Sequence, residues 1–191
     1  MYSTNPFRGG KKFFNFQAEK LYREACENFY LKKYDKALEL LDETTLLDKT
    51  HTKALLLTGD IMLLQEGKEK EALDAYNKAI LSNPASTQAY GSKAYVLDIL
   101  GRYEEAFENC EKAFEYSNPA DSDQMCSLYD QKISLLCSLK KYDEAGKVLN
   151  DAMDVLNEDN ANYLKSCYLH KINLKKKEQK KENQPVLKLI F

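Results

Sequence analysis

The sequence predicts an all-α chain assembled from pairs of short amphipathic helices. Three observations carry this. Only 7 glycines and 4 prolines occur in 191 residues, too few turn formers for the closely spaced strands of a β-sandwich or barrel of this length. Hydrophobic residues make up 43% and charged residues 30%, the balance of a chain that can bury a core. A motif recurs four times along the chain, and its apolar positions keep a helical period.

The motif is clearest at Tyr34–Leu41, Tyr103–Cys110 and Tyr142–Leu149; Lys70–Tyr76 matches but has a charged residue where the leading tyrosine falls. Its alanines, Ala37, Ala72, Ala106 and Ala145, lie 35, 34 and 39 residues apart. Four positions after each comes Leu41, Tyr76, Cys110 or Leu149, and seven positions after each comes Thr44, Ala79, Ala113 or Ala152. Small, large and small residues thus recur on one helical face. Ahead of each motif lies a second stripe: Tyr22, Ala25, Cys26 and Phe29; Leu55, Thr58, Gly59 and Met62; Tyr90, Lys93, Ala94 and Leu97; Tyr129, Lys132, Ile133 and Leu136. Each unit therefore reads as two helices whose small residues let the backbones approach closely. Gly67 and Gly101 mark turns within pairs, and Asn83–Pro84 and Asn118–Pro119 mark the joins between pairs.

These units resemble the tetratricopeptide repeat family. The best match runs through Leu55, Gly59, Ala72, Tyr76 and Ala79 to Pro84. The resemblance covers residues 18–157, divided as 18–51, 52–84, 85–118 and 119–157. It implies a right-handed superhelical solenoid of four helix-turn-helix repeats. Several positions depart from the family pattern. The chain has no tryptophan, Glu69 stands where an aromatic is usual, Lys93 and Lys132 fall at apolar positions, and Ile133 is bulky. Five additional residues within Ser117–Gln124 read as a longer loop or an added helical turn.

The flanks differ from the body. Residues 1–17 form a basic arm with Phe7, Phe13, Phe14 and Phe16. Residues 158–176 carry an apolar stripe of Tyr163, Leu164, Cys167, Tyr168 and Ile172, backed by Lys165, His170, Lys171 and Lys175. This segment reads as a helix capping the stack, or as the start of a degenerate fifth repeat. Residues 177–191 are basic and then apolar, closing on Pro185–Phe191. The net charge of −2 divides into +3 over 1–17, +4 over 175–191 and −9 between them. An acidic body argues against nucleic-acid binding. No apolar stretch approaches the ~20 residues that span a bilayer, and the first residues lack a secretory signal. Five cysteines, an odd number without a C-x-x-C pair, point to reduced thiols and a cytoplasmic setting.

No catalytic constellation, metal site or cofactor motif is expected. The histidines, His51 and His170, lie far apart and read as solvated; ligands at clustered spacing are missing. Cys26 and Cys110 occupy packing positions, and Cys167, three residues from His170, reads as packing as well.

What remains is surface. In the family, the first helices of successive pairs line a groove that receives a partner peptide. Turning each stripe partway round the helix gives Lys20, Arg23, Glu27 and Tyr30; Lys53, Leu56, Asp60 and Leu63; Gln88, Gly91, Tyr95 and Asp98; Ser127, Asp130, Ser134 and Cys137. Leu56, Leu63 and Tyr95 then read either as exposed anchors or as packing between pairs. Basic residues come first and carboxylates follow, which suits a ligand with basic residues beside apolar ones. The clamp that some members place on the carboxy-terminal carboxylate of heat-shock chaperones is disfavoured. Glu27 and Leu57 stand where it wants Asn, and Gln88 and Ser92 where it wants Lys and Arg. The expected function is a non-catalytic scaffold or adaptor that binds a protein or peptide. The alternative is a cytoplasmic chaperone for an aggregation-prone or secreted client. The 185–191 segment suggests self-association or docking onto the fold.

Overall fold

In a computed structural model, the described residues are 7–182 for the backbone and 15–180 for the side chains. They form helices α1 (Phe7–Tyr30), α2 (Tyr34–Leu47), α3 (Thr52–Leu63), α4 (Glu69–Ser82), α5 (Thr87–Ile99), α6 (Tyr103–Glu115), α7 (Ser122–Ser138), α8 (Tyr142–Val155) and α9 (Glu158–Glu182), with no strand among them. The chain divides into two compact units, residues 1–100 and 101–191. In the first unit, α1 packs on α2, α2 on α3 and α3 on α4, while α5 rests on both α4 and α3. In the second, α6 packs on α7, α7 on α8, and α9 rests on both α8 and α7.

The repeated stripe is the core. Ala37, Leu41, Thr44, Ala72, Tyr76, Ala79, Ala106, Cys110, Ala113, Ala145, Leu149 and Ala152 are all buried. Thr44 replaces alanine without leaving a polar group unpaired, because its hydroxyl donates to the Leu40 carbonyl at 2.7 Å. The close approach within a pair is tightest at Gly59, where an added Cβ would stand 2.5 Å from Cε1 of Tyr76. A small residue on α3 is what admits a tyrosine on α4. Pair four trades the other way, with Ile133 and the smaller Leu149 both buried.

Helix ends follow an alternating scheme. The helices α3, α5 and α7 start under a side-chain cap from His51, Ser86 and Asp121. At α9, Asn157 accepts from the Asn160 amide at 2.9 Å. Helices α2, α4, α6 and α8 lack a side-chain cap and instead carry Asp or Glu in the first turn, where the helix dipole favours negative charge. Each in-pair turn holds one left-handed residue: Lys32 at φ 58°, Gly67 at 79°, Gly101 at 71° and Lys140 at 58°. The glycine turns seen in the sequence thus extend to two lysines.

Three sequence expectations change. His51 is not solvated: its side chain is only 10% exposed, with Nε2 3.4 Å from Glu19 of α1. Its Nδ1 accepts from the Ala54 amide, and its ring lies 4.9 Å from that of Tyr22. The imidazole serves as a helix cap wedged between pairs one and two. The additional residues before pair four produce both outcomes at once, a six-residue join at 116–121 and a 17-residue α7. Helix α1 starts inside the segment read as an arm and continues unbroken into the first repeat, and α9 runs to Glu182, beyond the expected cap. The apolar 185–191 segment lies outside the described residues.

Lys132 also finds its explanation. Its ammonium sits 2.7 Å from Glu111 and 5.0 Å from the Phe114 ring centroid. The stem packs while the charge escapes to a carboxylate and an aromatic face.

Candidate interaction surface

The faces of α1, α3, α5 and α7 that point away from the paired stripe carry the residues expected to meet a partner. On α1, Lys20, Arg23, Glu27 and Tyr30 are all exposed. Lys20, Arg23 and Glu27 line a cleft of about 530 Å³ together with Phe16, Glu19 and Asn28. Arg23 pairs with Glu19 at 3.3 Å, so this cleft offers mixed charge beside one exposed aromatic.

On α3, Lys53 is exposed while Asp60 and Leu63 are half-buried. Leu56 is only 5% exposed and therefore belongs to the packing between elements, not to an open anchor. Cys137 on α7 is buried for the same reason. The two faces of these short helices lie one residue apart, and the apolar side won at both positions. On α5, Gln88 is exposed, Gly91 and Asp98 are half-buried, and Tyr95 stands 55% exposed. Tyr95 is thus an unburied aromatic on a first-helix face.

Burial raises the carboxyls of both Asp60 and Asp98 above the usual carboxylate range. For Asp60 a hydrogen bond from the Tyr76 hydroxyl, at 2.7 Å, works in the opposite direction by favouring the anion. These two carboxyls sit at the edge of the packed layer, whereas Asp130 lies at an open cleft.

In the second unit, α7 and α9 form a cleft of about 340 Å³. It unites the expected Ser127 and Asp130 with Asp123, Cys126, Asn160 and Tyr163. Ser134, one turn along α7, is half-buried and outside this lining. The Asn160 side-chain amide donates to Asp123 at 3.2 Å and to the Ser122 carbonyl, fixing the start of α9 against α7. The Tyr168 hydroxyl donates to the Asp130 carbonyl at 3.3 Å, a further tie between α9 and α7. Tyr163 is exposed at this cleft, and nearby Asp130 raises its hydroxyl pKa. Tyr163 and Asn160 had been hidden in the sequence because they lie on the segment read as a cap. The signal that could have found them is that α9 rests on both preceding helices, as a first helix does.

Cys167, expected from the sequence to pack, is instead exposed, whereas Cys110, Cys126 and Cys137 are buried. Burial pushes Cys110 up to about 12 and raises Cys126 and Cys137 above the ordinary thiol value, so the nucleophilic thiolate is disfavoured. Among the described residues, no group of three or more His, Cys, Asp or Glu could hold a metal ion, and no helix is long and apolar enough to cross a membrane.

Comparisons with known proteins agree with this architecture. A family model described as tetratricopeptide repeat matches residues 87–119. BBSome complex member BBS4 from Bos taurus is 31% identical over 98 residues, which is 49% of this chain and 18% of that protein. The chain spans at most half the length of the curated relatives it matches. Among solved structures, MamA superposes with a TM-score of 0.63 at 22% identity, covering 79% of this chain and 76% of that one. The first tetratricopeptide domain of Spaghetti (RPAP3), bound to the HSP90 peptide SRMEEVD, gives 0.55 at 21% identity, over 63% and 94%. With four buried Ala-based stripes, the chain has the fold of tetratricopeptide repeat proteins and matches that repeat's family model at residues 87–119.

Proposed function

We propose that the chain is a non-catalytic interaction module whose first-helix faces bind a peptide or an extended protein segment. The observation that carries this is the α7–α9 cleft, where Asp123, Asp130, Ser127 and Tyr163 converge. The exposed Tyr95 supplies an aromatic anchor on the other unit. Paired carboxylates beside an aromatic suit a ligand bearing Lys or Arg next to apolar residues. The RPAP3 domain shows that this fold can hold a peptide, but the residues here differ from a carboxylate clamp. Gln88 and Ser92 stand where such a clamp wants Lys and Arg, and Glu27 and Leu57 where it wants Asn. A cytoplasmic scaffold or adaptor fits these surfaces and the five unpaired cysteines.

Fluorescence anisotropy with labelled peptides tests the reading. Peptides pairing Arg or Lys with Leu or Phe should bind more tightly than their Glu-substituted counterparts. Asp130→Asn and Tyr95→Ala should each weaken binding about tenfold, the effect of losing roughly 1.4 kcal/mol of contact energy. Preference for the acidic peptides, or binding indifferent to both variants, would overturn it.

A further inference from the structure

The seam between α3 and α5 holds a carboxyl that the fold engages on one side only. Asp60 of α3 is half-buried, and its Oδ1 accepts from the Tyr76 hydroxyl of α4 at 2.7 Å. The Ser92 hydroxyl of α5 also hydrogen-bonds that of Tyr76, so three helices of the first unit meet at this point. The Tyr76 ring is fully buried and lies against Gly59, the residue before Asp60. The carboxyl is therefore held in place, unlike that of a surface aspartate.

What it lacks is a cation. Burial raises its carboxyl and the Tyr76 bond opposes this, with no Lys, Arg or His contributing. None of the ion pairs among the described residues includes it. Lys53, the only basic residue of α3, precedes it by seven positions, about 10 Å along the helix. Glu105, Glu111 and Asp143, all more exposed, each meet a cation. A partly desolvated carboxylate without a counter-charge is costly, and a group perturbed in this way on an open face marks a ligand contact.

The chemistry that completes the seam is a guanidinium. Oδ1 is engaged by Tyr76, whereas Oδ2 accepts no hydrogen bond from the described residues. Tyr95 stands 55% exposed three positions after Ser92, on the same side of α5. A planar guanidinium donates to a carboxylate oxygen while its face rests on an aromatic ring, an arrangement that suits an ammonium less well. Leu63, half-buried three positions after Asp60, adds apolar surface on α3.

We infer that Asp60 receives an arginine side chain of the partner segment, with Tyr76 as the positioning residue that holds the carboxyl in place for it. The inference rests on the peptide-binding reading above and gives the first unit its own cation-selecting residue.

Anisotropy titrations with labelled peptides test it. Each peptide carries a single Arg beside Leu and Phe and is made again with citrulline, which keeps the shape and loses the charge. Against the parent protein, citrulline should weaken binding about tenfold. Against Asp60→Asn the two peptides should bind alike, the signature of a direct contact. Against Asp130→Asn the preference for arginine should persist, and a lysine version should bind the parent less tightly than the arginine one. Melts of the same samples should show Asp60→Asn at least as stable as the parent, so that a lost preference reports the missing charge and not an unfolded site. Asp60→Ser takes its place should the amide fail to fold. An arginine preference undiminished by either substitution overturns this inference alone, as does lysine binding as tightly as arginine. Failure of every peptide to bind the parent overturns the peptide-binding reading along with it.

Discussion

The hydroxyl of Tyr76 donates to Oδ1 of Asp60 at 2.7 Å, so the fully buried ring of α4 ends on a half-buried carboxyl of α3. The bond satisfies a phenol that burial holds in its neutral form, with a pKa raised well above the ordinary value. Tyr76→Phe keeps the ring and strands the carboxyl. It should cost about 1–3 kcal/mol in chemical denaturation. A cost near zero would mean that water already satisfies Asp60.

The raised Asp60 carboxyl has a definite sign in pH. Its folded pKa lies above the ordinary value of 3.8, so between those two values the folded state binds more protons than the unfolded state. This group's contribution therefore falls as pH rises through that window. Asp60→Asn, which can still accept from Tyr76, should be more stable than the parent at pH 7. The advantage should fade as the pH approaches 4, as thermal melts across pH would show.

Packing at the pair crossing gives a sharper test of register. An added methyl at Gly59 meets Cε1 of Tyr76 at 2.5 Å, and Ala106 has no exposed surface at all. Gly59→Ala should cost about 1–3 kcal/mol through forced displacement of the facing Tyr76, and Ala106→Leu about as much through overpacking of a fully buried position. Equilibrium urea unfolding at constant m-value is the measurement.

At the in-pair turns, Lys32 and Lys140 hold the left-handed conformation that Gly67 and Gly101 hold elsewhere. Lys140→Gly should raise stability by about 1 kcal/mol, because a side chain in that region costs roughly this much. The same substitution at Lys141, where φ is −87°, should lower it instead.

Leu56 and Tyr95, both read from the sequence as candidate anchors, should now behave in opposite ways. Leu56→Asp places a charge at a buried position and should destabilise by about 3–5 kcal/mol. Tyr95→Ala, at an exposed position, should change stability by no more than about 0.5 kcal/mol. Its effect should appear in peptide binding alone. Circular dichroism melts beside anisotropy titrations separate the two.

The contrast shows what kind of information a repeat sequence holds. The Ala72–Tyr76–Ala79 stripe and its copies were legible because one packing problem is solved four times at nearly the same spacing. Leu56 was not, since the boundary between a packed face and an open one falls within a single residue's rotation. His51 was hidden because Glu19 and Tyr22, which occupy its ring, lie about thirty positions earlier on another helix. Lys32 and Lys140 resist reading because lysine rarely takes a left-handed conformation, so only the neighbouring repeats reveal the turn. Of the candidate surface, Ser127 and Asp130 line a cleft together with Tyr163, an exposed residue that the periodicity of its helix places in the apolar stripe.

The lengthened α7 and its six-residue approach carry a consequence for how such a chain tolerates change. Extra residues entered ahead of pair four, yet Ala145, Leu149 and Ala152 remain as buried as their counterparts. Each helix in a unit answers only to close neighbours in sequence, so an insertion is absorbed where it occurs and no distant closure has to be renegotiated. A nascent chain could consolidate each helix pair soon after synthesis, and copying or loss of a pair would leave the remaining interfaces chemically intact.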